Sequence, residues 1–73
     1  MNRVQINTSF ITLGQLLKRE DIVSSGGEAK ILLSENPKSF YINGKVDNRR
    51  GRKLFSDDKI LIKKIGEFQI VSG

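Results

Sequence analysis

The sequence predicts an α+β fold in which two short packed helices lie on a small, mostly antiparallel sheet. Three observations predict it: two helix-start signals, at Thr12 and Ser25, each followed by apolar residues at helical spacing; a change of apolar period to two from Ser39 onward; and an Asn43-Gly44 pair between two such short runs. The 73 residues make one domain, close to the size at which a hydrophobic core only just offsets chain entropy. No linker, repeat or low-complexity segment divides residues 1–73.

Residues 3–8 roughly alternate, with Val4 and Ile6 on one face, and predict a short strand. Thr12-Leu13-Gly14-Gln15 then fits a capping box, in which the Thr hydroxyl and the Gln side chain satisfy backbone donors that a helix start leaves unpaired. Leu13, Leu16 and Leu17 form the apolar stripe behind it, and Lys18 and Arg19 fall at the exposed end. Gly14 weakens this helix by about 1 kcal/mol relative to Ala, a cost that points to close packing or backbone approach. A second box, Ser25-Gly26-Gly27-Glu28, is followed by Ala29, Leu32 and Leu33, and Asn36-Pro37 ends the helix. Isolated helices below roughly 12 to 15 residues are marginal in water, so these two are expected to pack on each other.

Phe40 and Ile42 alternate with Tyr41, Asn43-Gly44 supplies two residues that tolerate positive φ in a hairpin turn, and Lys45-Val46 begins the return strand. After a basic loop, Leu54 and Phe55 are expected to re-enter the core. Ser56-Asp57-Asp58 reads as a turn, Lys59–Ile65 as a strand, Gly66-Glu67 as a turn and Phe68–Val71 as a last strand. The order is β-α-α-β-β-β-β. All four Phe, at positions 10, 40, 55 and 68, fall where a core is expected, and Lys63 and Lys64 read as charges that keep an edge strand soluble.

Composition removes most chemistry. The chain has no Cys and no His, hence no disulfide, thiol nucleophile, imidazole base or ordinary zinc site. No catalytic residue, metal ligand or cofactor is expected; Asp57-Asp58 reads as a turn former rather than a metal carboxylate pair. No apolar run approaches the roughly 20 residues that cross a bilayer, and the first residues lack the apolar stretch of a signal peptide, so a cytoplasmic protein with no membrane partner is expected.

What remains is charge. Thirteen Lys and Arg against eight Asp and Glu leave a net +5, and residues 45–53, KVDNRRGRK, hold five of those bases and a single acid. The cluster is either a solvated basic loop or a surface for a polyanion. Its hold on nearly all the net charge favours the polyanion, and nucleic acid is the commonest one.

The run from Ile11 to Lys64 resembles the S-four RNA-binding domain, or αL motif. The matching pieces are ITLGQLLKREDIVSSGGEAKILL, then FYINGKVDNRRGRKL, then KILI after a turn. Within that family the chain is most similar to short stand-alone bacterial proteins of the YaaA type, with S-G-G-x-A-K and N-x-R-R-G-R-K as the shared pieces. Departures are Gly26 and Gly27 where many members carry a Ser-Arg pair, leaving Lys30 as the first base of the second helix, and Ser56-Asp57-Asp58 in place of Pro-Gly-Asp. The resemblance implies an αL core over 11–64 with flanking strands, and a non-catalytic, monomeric protein.

It also implies a face for structured RNA, with ribosomal RNA or ribosomal particles during large-subunit assembly as the expected partner. That face would combine Lys18 and Arg19, the second helix start at Ser25, Gly26, Gly27 and Lys30, and the loop cations Arg49, Arg50, Arg52 and Lys53, with Lys45 on the hairpin beside them. Unpaired amides at Ser25, Gly26 and Gly27 and the positive end of a helix dipole suit a phosphate, and Arg can hold two phosphate oxygens at once. Gly51 would let the loop bend toward the backbone. With every Phe assigned to the core, no aromatic platform is expected, which favours recognition by shape and phosphate over single-strand stacking. Two alternatives remain: an adaptor whose basic loop docks an acidic protein, and an accessory to an RNA-modifying enzyme.

Overall fold

Alternation sets the sheet. The computed structural model describes residues 1–73, and in its first strand, β1 (Asn2–Ile6), Val4 and Ile6 are buried while their neighbours face water. A two-residue strand β2 (Ile11–Thr12) leads into helix α1 (Leu13–Arg19), and α2 (Gly26–Glu35) follows. Then come β3 (Phe40–Ile42), β4 (Lys45–Val46), β5 (Lys53–Leu54), β6 (Lys59–Ile62) and β7 (Gly66–Ser72). The main sheet has the order β1-β7-β6-β3-β4, antiparallel throughout except for the β1–β7 pair. Register brings the buried residues opposite one another: Val4 faces Ile70, Phe68 faces Ile60, and Ile60 in turn faces Ile42. That inner face joins Leu13, Leu16 and Leu17 of α1 and Ala29 and Leu33 of α2 in one buried apolar cluster.

The turns follow from their residues. Asn43 and Gly44 sit at φ 51° and 85°, the pair of positive values that a two-residue type I′ turn requires. Asn43 also reaches past the turn, accepting from the Lys59 amide at 2.9 Å and donating to Asp58 Oδ1 at 3.0 Å. Asp58 closes its own turn by accepting from the Phe55 amide at 2.8 Å. Helix α1 ends in a Schellman arrangement: Asp21 lies at φ 58°, its amide donates to the Lys18 carbonyl at 3.1 Å, and the Ile22 amide donates to the Leu17 carbonyl at 2.9 Å.

Four details differ from the sequence expectation. The first strand stops at Ile6 rather than Thr8. Two very short strands, β2 and β5, form a separate antiparallel ladder; two residues show no period, which is why neither was expected. The strand read as Lys59–Ile65 ends at Ile62, because Lys63, Lys64 and Ile65 form the turn, with Lys64 at φ 68°; Gly66-Glu67, read as that turn, instead opens β7 and pairs with Ile62 and Leu61. Finally, β6 lies between β7 and β3, so Lys63 and Lys64 protect no edge. They are turn residues.

Candidate nucleic-acid interface

The basic loop is built onto the first helix. At α1 the capping box is complete: the Gln15 amide donates to Thr12 Oγ1 at 3.2 Å, and the Thr12 amide to Gln15 Oε1 at 2.8 Å. The two amides that precede Gln15 have no partner inside any helix. Here they donate to the loop, Leu13 to the Arg52 carbonyl and Gly14 to the Arg50 carbonyl, both at 2.9 Å. Gly14 makes this approach possible, since a Cβ at that position would lie 2.6 Å from Arg50 Cγ and 3.4 Å from the Arg50 carbonyl oxygen. The close backbone approach expected at this glycine is what the structure contains.

From there the Arg50 side chain crosses to the second helix, where its Nη1 donates to the Gly26 carbonyl at 3.3 Å. Arg50, Gly26 and Lys18 thus border one small polar cleft of about 180 Å³. At the start of α2, Ser25 Oγ accepts from the Glu28 amide at 3.2 Å, as a cap should. The return half of the expected box is absent. Glu28 instead accepts from the Ser24 hydroxyl and, at 2.7 Å, from the Ser24 amide, so one residue offers it two donors where Ser25 would offer one. The Ser24 hydroxyl first, and then its amide, hold the Glu28 carboxyl below its ordinary pKa. The Ser25, Gly26 and Gly27 amides donate to no protein group, and a Cβ on Gly26 or Gly27 would meet nothing nearer than 3.7 Å. That helix start is open to solvent.

The loop owes its shape to Asp47, whose side chain is only 11% exposed. It forms ion pairs of 2.8 Å with both Arg49 and Arg52 and also accepts from the Arg49 amide at 3.0 Å. The Arg49 guanidinium, above all, pulls the Asp47 carboxyl far below the usual carboxylate range. Asn48 pins the loop to α2 by donating to the Leu33 carbonyl at 3.2 Å. The Arg52 amide closes a turn on the Arg49 carbonyl at 3.1 Å. Gly51, at the tip of that turn, has no positive φ and no atom within 4 Å of a Cβ built there. Its expected role in bending the loop falls away, because the turn and the Asp47 pairs set the bend.

The remaining cations divide. Lys53 Nζ lies 4.9 Å from the centre of the Phe10 ring. Lys18 and Arg19 border a second, larger groove beside Phe10. Lys30 is exposed on α2 and Lys45 on β4, and neither makes a hydrogen bond or ion pair that ties it to the cleft. Two Phe also depart from expectation: Phe55 is 48% exposed and Phe10 is half-buried. Leu54 is fully buried, and successive residues of a strand face opposite sides, so Leu54 and Phe55 could not both re-enter the core.

Fold and face together define a small α+β domain that presents one cationic surface, made by an arginine loop laid across two helix starts. The chain belongs to the S4 domain family, whose pattern it matches over residues 4–71. It is 48% identical over 71 residues to the probable ribosome maturation protein RlbA of Bacillus subtilis (strain 168), a match covering 97% of this chain and 97% of that protein.

Proposed function

We propose that this chain is a non-catalytic RNA-binding protein that grips structured RNA, with ribosomal RNA as the target and assembly of the large ribosomal subunit as the setting. One observation carries the reading. Arg50 links the two helix starts, so Arg50, Lys18 and Gly26 line one polar cleft at the start of α2, where the Gly26 and Gly27 amides donate to no protein group. Free amides at a helix start with cations beside them suit a phosphate. Arg49 and Arg52, held by Asp47 in fixed positions, extend the cationic surface, and Ser25, Arg19 and Lys53 border it. Lys30 and Lys45 stand further out as long-range charge. The αL core over 11–64 carries this face, and membership of the S4 family together with the maturation role in the relative's name supports the ribosomal setting.

The test is a titration of a structured ribosomal RNA fragment at several salt concentrations, with the wild type and a variant in which Arg49, Arg50, Arg52 and Lys53 are all Ser. Four phosphate contacts give a log–log salt slope of roughly −3 to −4, at about 0.7 to 0.9 per phosphate, and the variant's slope is shallow. Equal slopes in a folded variant would reject the loop as the gripping surface.

A further inference from the structure

The two Phe that leave the core do so together. In the short ladder Ile11 faces Leu54 and Thr12 faces Lys53, and the same antiparallel register places Phe10 opposite Phe55. Their ring centres are 5.8 Å apart with planes inclined by 50°. Lys53, two residues from Phe55 on the same side of the ladder, lies over the Phe10 ring. Alternation explains why positions 10 and 55 point outward, but it does not explain why they are aromatic; Ser or Lys would satisfy the ladder equally well. Scattered exposed apolar residues need no explanation. A paired aromatic surface with a cation on it is a different case.

Its surroundings indicate what it meets. Phe10 also lines an open groove of about 770 Å³ together with Gln15, Lys18 and Arg19, and Lys18 is shared with the polar cleft at Arg50. An apolar, π-faced surface thus has Lys53 against it and shares a groove with Lys18 and Arg19. Flat aromatic ligands that carry negative charge on a flexible chain fit that arrangement, and nucleotides of an RNA strand are such ligands. We propose that the exposed Phe55 ring, backed by Phe10, is a stacking site for one unpaired nucleobase of the bound RNA, with the adjoining phosphates held by Lys18, Arg19 and Lys53. The inference rests on the RNA-binding reading and changes its character: the protein senses a bulged or looped-out base beside a helix, in addition to phosphate and shape.

The experiment compares two RNA hairpins of equal length, one fully paired and one with a single bulged 2-aminopurine, against wild type, Phe55→Leu and Phe55→Ser. Position 55 is half in water, so both variants fold; Leu keeps the apolar contact with Phe10 and removes the ring. Wild type is expected to bind the bulged hairpin about tenfold more tightly than the paired one, in line with the effect of one stacked base, and to change the 2-aminopurine fluorescence on binding. Both variants lose that preference and that signal while binding the paired hairpin with an unchanged salt slope. If wild type binds both hairpins equally, or if both variants keep its preference, the stacking site is overturned and phosphate binding stands. If wild type binds neither hairpin even at low salt, the RNA-binding reading fails and the inference fails with it.

Discussion

At α1 the amides of Leu13 and Gly14 donate to the carbonyls of Arg52 and Arg50; at α2 the corresponding amides, Gly26 and Gly27, donate to no protein group. Both helices begin with a hydroxyl cap, Thr12 and Ser25, that accepts from the third helical residue. The contrast lies in what covers the remaining donors. At α1 they anchor the basic loop, so the helix positions the cations. At α2 they donate to no protein group, and Arg50, brought by the loop, stands beside them. One helix start is used up as structure, and the proposed function assigns the other to the ligand.

The largest expected effect comes from loosening the loop. Asp47→Asn removes the charge from a mostly buried side chain that holds Arg49 and Arg52, at a cost of about 2 kcal/mol. Hydrogen exchange should locate the damage: the amides of Leu13 and Gly14 lose protection because their acceptors are in the loop, whereas that of Ala29, bonded to the Ser25 carbonyl at 3.1 Å, does not. The pH dependence has a definite sign. The carboxyl titrates below its ordinary value of 3.8 in the folded protein, so its stabilisation is fully present above about pH 4 and fades as pH falls toward the folded-state value. Urea unfolding curves of the two proteins therefore differ most at neutral pH and converge in acid. A constant difference down to about pH 2 would mean that the ion pairs contribute nothing.

A sharper contrast comes from the same substitution at both helix starts. Gly14→Ala gains up to about 1 kcal/mol of helix propensity, but its Cβ would sit 2.6 Å from Arg50 Cγ, and such overpacking costs about 1 to 3 kcal/mol. The net effect is destabilising by about 1 kcal/mol, with Arg50 displaced from Gly26 and RNA affinity reduced. Gly27→Ala meets only Ser25 Oγ, at 3.8 Å, and is expected to stabilise by about 0.5 to 1 kcal/mol. Its RNA affinity falls all the same if the phosphate approaches that backbone closely. Thermal unfolding of the two variants should therefore show shifts of opposite sign; two shifts of the same sign would erase the distinction between an anchoring and an open helix start.

Much of this was legible in the sequence because the signals are local. The caps at Thr12 and Ser25, the turn at Asn43-Gly44 and the alternation of Phe40 and Ile42 each rest on residues within a few positions of one another. The basic loop was visible as composition, although its architecture was not: the Arg50 and Arg52 carbonyls reach α1 across more than thirty residues, and backbone carbonyls carry no sequence signature. Asp47 stood in the sequence as the lone acid among bases, and only its burial makes it the loop's anchor. Phe10 and Phe55 were misplaced for a different reason. Aromatic residues are usually core, and a strand of two residues offers too little alternation to argue otherwise.

The two caps should themselves differ. Thr12→Ala removes the hydroxyl that accepts from the Gln15 amide and leaves the Thr12 amide to hold Gln15 Oε1 alone, at the helix end that carries the loop, and about 1 to 2 kcal/mol is expected. Ser25→Ala removes one accepted bond at an exposed position, for about 1 kcal/mol. Chemical denaturation of both settles the order. An equal or larger loss at Ser25 would show that the second start is more than an open surface. No loss there at all would remove Ser25 as its cap.

The smallest effect is expected between the two helices, and it serves as a control for both. Asp21 occupies a left-handed conformation at φ 58° that closes α1, a position where Gly carries no Cβ penalty. Its carboxylate also lies at the negative end of the helix dipole. Asp21→Gly should therefore stabilise by about 0.5 kcal/mol, a rise of roughly 2 to 4 °C in Tm for a chain of this size. Asp21→Asn keeps a residue that tolerates this conformation and removes only the charge, so the difference between the variants isolates the backbone contribution from the electrostatic one. Neither variant touches the Arg50 contact or the free amides of α2, so the preference between bulged and paired RNA stays as in wild type. A fall in Tm for both would mean that the Asp21 carboxylate stabilises the end of α1, and a changed preference between bulged and paired RNA would make the link between the helices part of the binding surface.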